Sequence, residues 1–276
     1  MKHIIVFKRL AKVSATCFLM ILLLLMTGCS KQAKQETLLV AGSSTMLPYM
    51  AKLEDGFAKV NPKILVESDS GGSAAGVIAV KRNAIDMATT SRDIKAEEDD
   101  QYLRDYLVAK DALVIVVHPS NSVSSITKEQ VRDIFMGVIT NWQQVGGSDT
   151  PIVLIGRKKG STTRKGMDEM VLGGLDFAKW ITANPSAGNL AEAVAGNANA
   201  IGYLALNDVT PTVKSLAISG VLANRESILS GHYTLSRSFY FVIYDKPKSA
   251  VQKLLDFTLS KEGQDILEHE GLIRVN

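Results

Sequence analysis

The sequence predicts an α/β protein with mostly parallel sheet, on two observations. Short apolar runs at residues 37–41, 63–67, 111–117, 151–156, 200–205 and 238–244 alternate with stretches whose apolar residues recur at helical spacing. Several junctions from an apolar run into a helical stretch are rich in hydroxyls and glycine, as in Gly42-Ser43-Ser44-Thr45 and Gly71-Gly72-Ser73. In open sheets of this class ligands gather outside the carboxyl ends of the strands, where such junctions lie.

Residues 1–28 stand apart from the fold. Lys2, Lys8, Arg9 and Lys12 make a basic start without an acid, and an apolar stretch from Val13 to Met26 ends at Thr27-Gly28-Cys29. This is the pattern of a secretory signal peptide. The small pair before Cys29 resembles the bacterial lipobox, which implies that Cys29 is lipidated and becomes the first residue of the mature chain. The apolar stretch is shorter than the roughly 20 residues a spanning helix needs. A diacyl-modified cysteine supplies the two-chain attachment that stable anchoring requires, so the expected location is the extracytoplasmic face of the cell membrane. Residues 29–36 follow as a polar tether.

Four of the 31 Lys and Arg and none of the 28 Asp and Glu fall in residues 1–28, so the net charge of +3 becomes about −1 for the remainder. That removes the basic surface a nucleic-acid partner would need. Cys17 leaves with the signal and Cys29 carries the lipid, so no disulfide within the chain is expected. The remaining length, about 250 residues, can bury one large core or two smaller ones without such staples.

The fold begins with the strand at 37–41. Gly42-Ser43-Ser44-Thr45 turns it into a helix with Pro48 in the first turn and Met50, Leu53, Phe57 and Val60 at helical spacing. Asn61-Pro62 stops that helix, residues 63–67 return as a strand, and Ser70-Gly71-Gly72-Ser73 leads into the next helix. Residues 84–88 read as a strand running into Thr89-Thr90-Ser91-Arg92. The charged segment 95–105 reads as the solvated face of a helix. Residues 111–117, ended by His118-Pro119, read as a strand buried on both faces. Thr127 is the expected N-cap of a helix that buries Val131, Ile134 and Phe135 and stops at Gly137.

Residues 151–156 read as a buried strand, followed by Arg157-Lys158-Lys159-Gly160-Ser161-Thr162-Thr163-Arg164 and a short helix over 167–172. Residues 177–181 read as strand or short helix, 187–198 as helix, 200–205 as strand and 225–229 as a short helix stopped by Gly231. The chain closes with a buried strand at 238–244 and one amphipathic helix over 249–268.

The ordinary meaning of one hydroxyl-rich turn is a helix cap, here with Ser161 or Thr162 capping and the lysines solvated. Four such turns, at Ser43, Ser73, Ser91 and Ser161, fall at the carboxyl ends of strands. Their unpaired amides and neutral hydroxyls, together with Arg157, suit an anion. Catalysis finds no such pattern. Gly71-Gly72-Ser73-Ala74-Ala75 misses the Gly-x-Ser-x-Gly elbow at its last residue, and neither the phosphate-loop nor the dinucleotide fingerprint occurs. His118, His232 and His269 stand in no spacing that singles out a base, and no paired His or Cys suggests a metal. Neither cofactor nor metal is expected.

Further marks stand in order along the mature chain. They are Ala41-Gly42-Ser43-Ser44-Thr45, Gly72-Ser73-Ala74-Ala75-Gly76-Val77, Ser91-Arg92, Ile134-Phe135 to Asn141-Trp142 with Val145-Gly146-Gly147, and Arg157 with Gly160-Ser161-Thr162-Thr163-Arg164. Ala200-Ile201-Gly202-Tyr203 and Tyr233-Thr234-Leu235-Ser236-Arg237 complete the series. In these the chain resembles the periplasmic or lipid-anchored phosphate-binding protein of bacterial phosphate ABC transporters. The resemblance implies a type II-like periplasmic-binding-protein fold of two α/β lobes with two crossover strands, closing around one desolvated phosphate. It implies a first lobe from residues 37–114 and 238–276, a second from 115–237, and crossings near 113–117 and 237–244. It also implies a monomer that delivers inorganic phosphate to ABC permease subunits.

Carried over position by position, Ser44 and Thr45 would donate from the first turn, Ser73 from the second, and Arg157, Ser161, Thr162 and Thr163 from the other lobe. Ser91 falls where some members of the family have an aspartate that accepts the phosphate proton and others a serine. Thr162 stands where the family usually has glycine, and a β-branched residue there would be strained if the position needs positive φ. Phosphate at neutral pH carries a proton and sulfate does not, so an acceptor in the site would select for phosphate. Asp69 and Asp93 are nearby candidates for that acceptor, and the sequence does not choose between them. The rival reading keeps the scaffold and changes the role, to another oxyanion such as sulfate or molybdate, or to an anchored sensor or adhesin.

Overall fold

The computed structural model describes residues 35–276. The signal peptide at 1–28, the lipid site Cys29 and the tether up to residue 34 lie outside the described residues. The elements are β1 (Glu36–Gly42), α1 (Leu47–Val60), β2 (Ile64–Ser70), α2 (Ser73–Lys81), β3 (Met87–Thr90), β4 (Leu103–Val117), β5 (Ser125–Ile126), α3 (Lys128–Met136) and β6 (Val153–Arg157). There follow α4 (Thr162–Met167), β7 (Thr182–Asn184), α5 (Ala187–Ala195), β8 (Ala200–Ala205), β9 (Lys214–Ser215), β10 (Ala217–Ile218), α6 (Arg225–Leu229), β11 (Ser236–Tyr244), α7 (Ser249–Leu259) and α8 (Lys261–His269).

One sheet runs through the molecule in the order β2-β1-β3-β11-β4-β8-β6-β7, with β9 also on β4. Its two ends are parallel triplets, β1 between β2 and β3, and β6 between β8 and β7. The triplets are joined through β11 and β4, which run antiparallel to each other. Residues 103–112 of β4 pair with β11, and residues 113–117 pair with β8. One long strand is therefore shared between the two halves, and the expected two-lobed α/β fold with two crossing strands is what forms.

The cores follow this division. Leu38, Val40, Met50, Leu53 and Phe57 pack with Val108, Phe239, Phe241 and Leu254 on one side of the crossing. On the other, Leu113, Ile115 and Val117 join Ile134, Phe135, Trp142, Leu154 and Tyr203. Val114 and Val116, pointing to the opposite face of the same strand, pack on Leu190, Ala191 and Val194 of α5. That alternation is why residues 111–117 carry no polar side chain after Asp111: both faces of the strand are covered.

Several elements differ from the sequence reading. The charged segment 95–105 is not a helix; it is a set of turns, and from Leu103 it is already β4. Two of its carboxylates, Glu98 and Asp100, are committed to basic partners, while Glu97, Asp99 and Asp105 are exposed. Arg92 donates to both Glu98 oxygens at 2.7 and 2.6 Å, the Lys95 amide donates to Glu98 at 3.0 Å, and Lys81 pairs with Asp100 at 2.6 Å. The strand read at 84–88 begins only at Met87, and Thr89 and Thr90 belong to it and are buried. Val60, expected on the buried side of α1, is exposed.

Residues 177–181 form neither strand nor helix, and a short strand, β7, follows them. The helix read to 198 ends at Ala195. The helix expected at 167–172 begins earlier, at Thr162, and widens into a π turn over Asp168–Leu172. The single closing helix is two, because Ser260 leaves the helical region and its hydroxyl caps the second at Gly263 N (3.3 Å). The capping box of Thr127 with Gln130 and the left-handed stop at Gly137 are as expected.

The Arg92–Glu98 pair gives a pH prediction. The hydrogen bonds from Arg92 are the main cause that holds the Glu98 carboxyl down at about 2, against an ordinary value of 4.5, with the Lys95 amide and nearby charge adding and partial burial opposing. A depressed carboxylate stabilises the fold fully above its unfolded value, and the contribution fades as pH falls from about 4.5 toward about 2. Glu98→Gln is expected to cost about 1 kcal/mol at pH 7, given that the pair is half-exposed. The gap between the urea midpoints of variant and parent should narrow by about pH 3.

Candidate functional site

The carboxyl ends of β1, β2 and β3 are knitted together by their backbones. Gly42 O accepts from Gly71 N (3.0 Å) and Gly72 N (2.8 Å), and Ser43 N donates to Thr89 O (2.9 Å). Gly42 is required here: its φ is +148°, and a Cβ would stand 2.1 Å from Thr89 O. The approach brings the second and third hydroxyl turns into contact, with Ser91 N donating to Ser73 Oγ at 3.3 Å. Ser43 Oγ accepts from Thr45 N (3.2 Å), so it shapes its own turn. The first turns of α1 and α2 have no side-chain cap.

In the other half, β6 ends at Arg157, whose N–H donates to the Tyr203 hydroxyl at 3.1 Å. Burial pushes the Tyr203 hydroxyl up, which keeps it a neutral acceptor. The turn reverses at Gly160 (φ +91°), and Ser161 caps α4 by accepting from Arg164 N at 3.3 Å. Thr162 is the first helical residue of α4 and is not among the positive-φ residues. The strain expected of a β-branched residue at 162 is therefore absent, because the left-handed position is taken by Gly160. Arg164 is held inside its own half, with Nη1 on Arg157 O (2.9 Å) and its guanidinium 4.0 Å from the Phe177 ring centre. Arg157 is differently placed. Its Nη2 reaches Pro185 O at 3.3 Å, while its buried Nε has no hydrogen-bond partner among the described residues.

The two sets of turns meet across a cleft. Ser44, Thr45, Ser161 and Thr162 line one cavity of about 540 Å³, and Arg157, Ser161, Thr162 and Thr163 line a second of about 540 Å³. Gly160, Ser161 and Thr162 are common to both. Ser73 and Ser91 line neither; they lie against each other beside the first turn. Asp69 and Asp93 also line neither. Asp69 accepts from Ser70 N (2.7 Å) and Asp93 from the Tyr240 hydroxyl (2.7 Å).

The carboxylates that do reach the cleft include Asp168 and Asp176 in the first cavity and Asp111, Asp208, Glu268 and Glu270 in the second. Asp168 is pushed up by burial against the opposing pull of Arg164, and Asp208 by burial against that of Arg157. Tyr49, at the base of the second cavity, is raised by burial and further by Asp111. Lys159 lines the first cavity from an exposed position, and Lys158 is exposed and lines neither.

Two contacts in the cleft were not read from the sequence. The Thr45 hydroxyl donates to both oxygens of Glu169, and the Lys165 ammonium donates to Ser44 Oγ. Behind them Arg237 is buried against Asp111, with Nε and Nη2 both on Oδ2 at 3.0 and 2.7 Å, and its Nη1 donates to Glu169. The only sequence signals were a charge at the start of the apolar run and an arginine at the start of the last strand. Among the described residues no group of His, Cys, Asp and Glu could hold a metal ion, and no helix is long and apolar enough to cross a membrane.

A sheet divided into two lobes by a pair of long crossing strands, with donor turns from both lobes facing one cleft, defines a two-lobed solute-binding protein. The model of the PBP superfamily domain matches residues 28–262. Within that class the chain belongs to the PstS phosphate-binding protein family. It is 30% identical to the phosphate-binding protein PstS of Bacillus subtilis (strain 168) over 87% of this chain and 81% of that one. An ABC-type phosphate transport receptor from Vibrio cholerae superposes with a TM-score of 0.73 at 28% identity, covering 86% of this chain and 99% of that one. A putative phosphate ABC transporter substrate-binding protein with bound phosphate from Clostridium perfringens is 33% identical, with a TM-score of 0.55 over 87% and 100% of the two chains.

Proposed function

We propose that the chain binds inorganic phosphate between its lobes and delivers it to an ABC importer. The observation that supports this most directly is the meeting of Ser44 and Thr45 from one lobe with Ser161 and Thr162 from the other around one cavity, next to a second cavity lined by Arg157, whose buried Nε has no partner among the described residues. In this reading one lobe is residues 37–114 with 238–276 and the other 115–237. Ser44, Thr45, Ser73, Ser91, Arg157, Ser161, Thr162 and Thr163 are the ligand set. Ser73 and Ser91 join when the lobes close about the crossing strands, and closure excludes water and strengthens each charge-assisted bond. Neutral hydroxyls and amides surround the anion while Arg157 supplies the formal charge, an arrangement for holding an anion and releasing it unchanged. The donors gathered at the cleft serve to hold an anion, and the reading includes no catalysis. Lipidation at Cys29 would keep the monomer on the extracytoplasmic face, beside the permease it serves.

Calorimetric titration of the mature chain with phosphate, sulfate and molybdate tests the reading. Saturable phosphate binding is expected, with neither competitor displacing it at comparable concentration. Preferential binding of sulfate or molybdate would overturn it.

A further inference from the structure

The Thr45 hydroxyl is buried and already engaged, at 3.0 Å from each oxygen of Glu169. Glu169 lies in the turn that continues α4, across the cleft from Thr45, and its Oε2 also accepts from Arg237. One residue earlier in the first turn, Ser44 Oγ accepts from Lys165 at 3.0 Å, and Lys165 stands 4.0 Å from Glu169 on the same helical face. The Ser44 and Thr45 hydroxyls of the first turn are thus both engaged by a charged pair from the opposite lobe. A carboxylate gripped by a hydroxyl and a guanidinium has the donor environment that an incoming oxyanion would require.

From this geometry we infer that Glu169 is an internal anion that occupies the Thr45 donor and must be displaced when phosphate binds, which makes it an affinity-determining residue. The inference rests on the phosphate reading of the cleft. Displacement is physically accessible, because the Glu169 side chain is 39% exposed and can turn to water, while Arg237 stays paired with Asp111. The internal carboxylate lowers the apparent affinity by the fraction of molecules in which it holds Thr45. It also fastens the two lobes to each other when no ligand is present.

The experiment is phosphate calorimetry on the mature chain and on Glu169→Gln, which keeps the shape and removes the charge. A rise in phosphate affinity of about tenfold is expected, the worth of one charge-assisted hydrogen bond that no longer competes. In a Thr45→Val background, where the contested hydroxyl is gone, Glu169→Gln should change affinity by less than about twofold. A gain that persists in that background would mean that Glu169 acts through its general field, and the inference fails. An unchanged or lower affinity in Glu169→Gln alone would also overturn it, a loss meaning that the carboxylate helps to hold the ligand. Failure of the parent chain to bind phosphate would refute the underlying reading instead. Thermal melts of each variant establish that the fold is intact.

Discussion

Replacing Arg157 with alanine is expected to weaken phosphate binding by about 2–5 kcal/mol, the cost of removing one partner of a desolvated, hydrogen-bonded charge pair. The residue ends β6, so its backbone is fixed by the parallel pairing to Asn184 of β7 and by the bond from its N–H to the Tyr203 hydroxyl (3.1 Å). Its side chain is only partly anchored, through Nη2 to Pro185 O, and Nε is buried with no partner among the described residues. A buried N–H of a charged group without an acceptor is costly, and a ligand oxygen would satisfy it. Nearby cations do not substitute. Arg164 is spent on Arg157 O and the Phe177 ring, Lys165 on Ser44 Oγ, and Lys158 and Lys159 are exposed. Arg157→Lys keeps the charge and loses the planar fork, so it should recover part of the affinity and not all of it. Titration calorimetry of the three proteins, with melting curves to establish that the fold is intact, decides the matter. Unchanged affinity in Arg157→Ala would remove Arg157 from the ligand set.

The parts of this site that could be read in the sequence share a physical reason. Gly42, Gly72 and Gly160 sit where short-range sterics dictate residue type, so the turns announce themselves. The continuous apolar run after Asp111 likewise reports burial on both faces. Ser161 met both of its readings: its hydroxyl does cap α4, and it also lines both cavities. What could not be read were the pairings between distant charges. Nothing local ties Glu169 to Thr45, which are 124 residues apart, or Arg237 to Asp111, 126 apart. The same blindness turned the segment 95–105 into a helix face. Glu98 and Asp100 looked solvated because Arg92 and Lys81, which engage them, precede the segment and come to it only through the fold.

The Asp111–Arg237 pair supports the second large expected effect. The two residues face each other across β4 and β11, two residues before β4 leaves β11 for β8 at Leu113. At that step the backbone is pinned twice, by Leu113 N to Leu235 O (2.9 Å) and by the Tyr233 hydroxyl to Leu113 O (2.8 Å). The ion pair is therefore buried at the crossing itself, 7% and 9% exposed, with the guanidinium also 5.2 Å from the Phe239 ring centre. Removing one member of such a pair leaves an uncompensated buried charge. Asp111→Leu is accordingly expected to lose about 3 kcal/mol of stability, toward the lower end of such cases because Glu169 still accepts from Arg237. Arg237→Met should cost a similar amount, since it strands the Asp111 carboxylate beside the raised Tyr49 hydroxyl. Combining the two should return most of the loss, because a packed apolar pair carries no desolvation penalty. The measurement is a double-mutant cycle on urea midpoints with unchanged m-values. Additive losses would show that the two side chains act independently, whereas a favourable coupling of about 3 kcal/mol would show that their charges are needed by each other and not by the fold. That outcome would also explain why a cleft meant for an anion tolerates Asp111 and Glu169: Arg237 neutralises them, and Arg157 is left for the ligand.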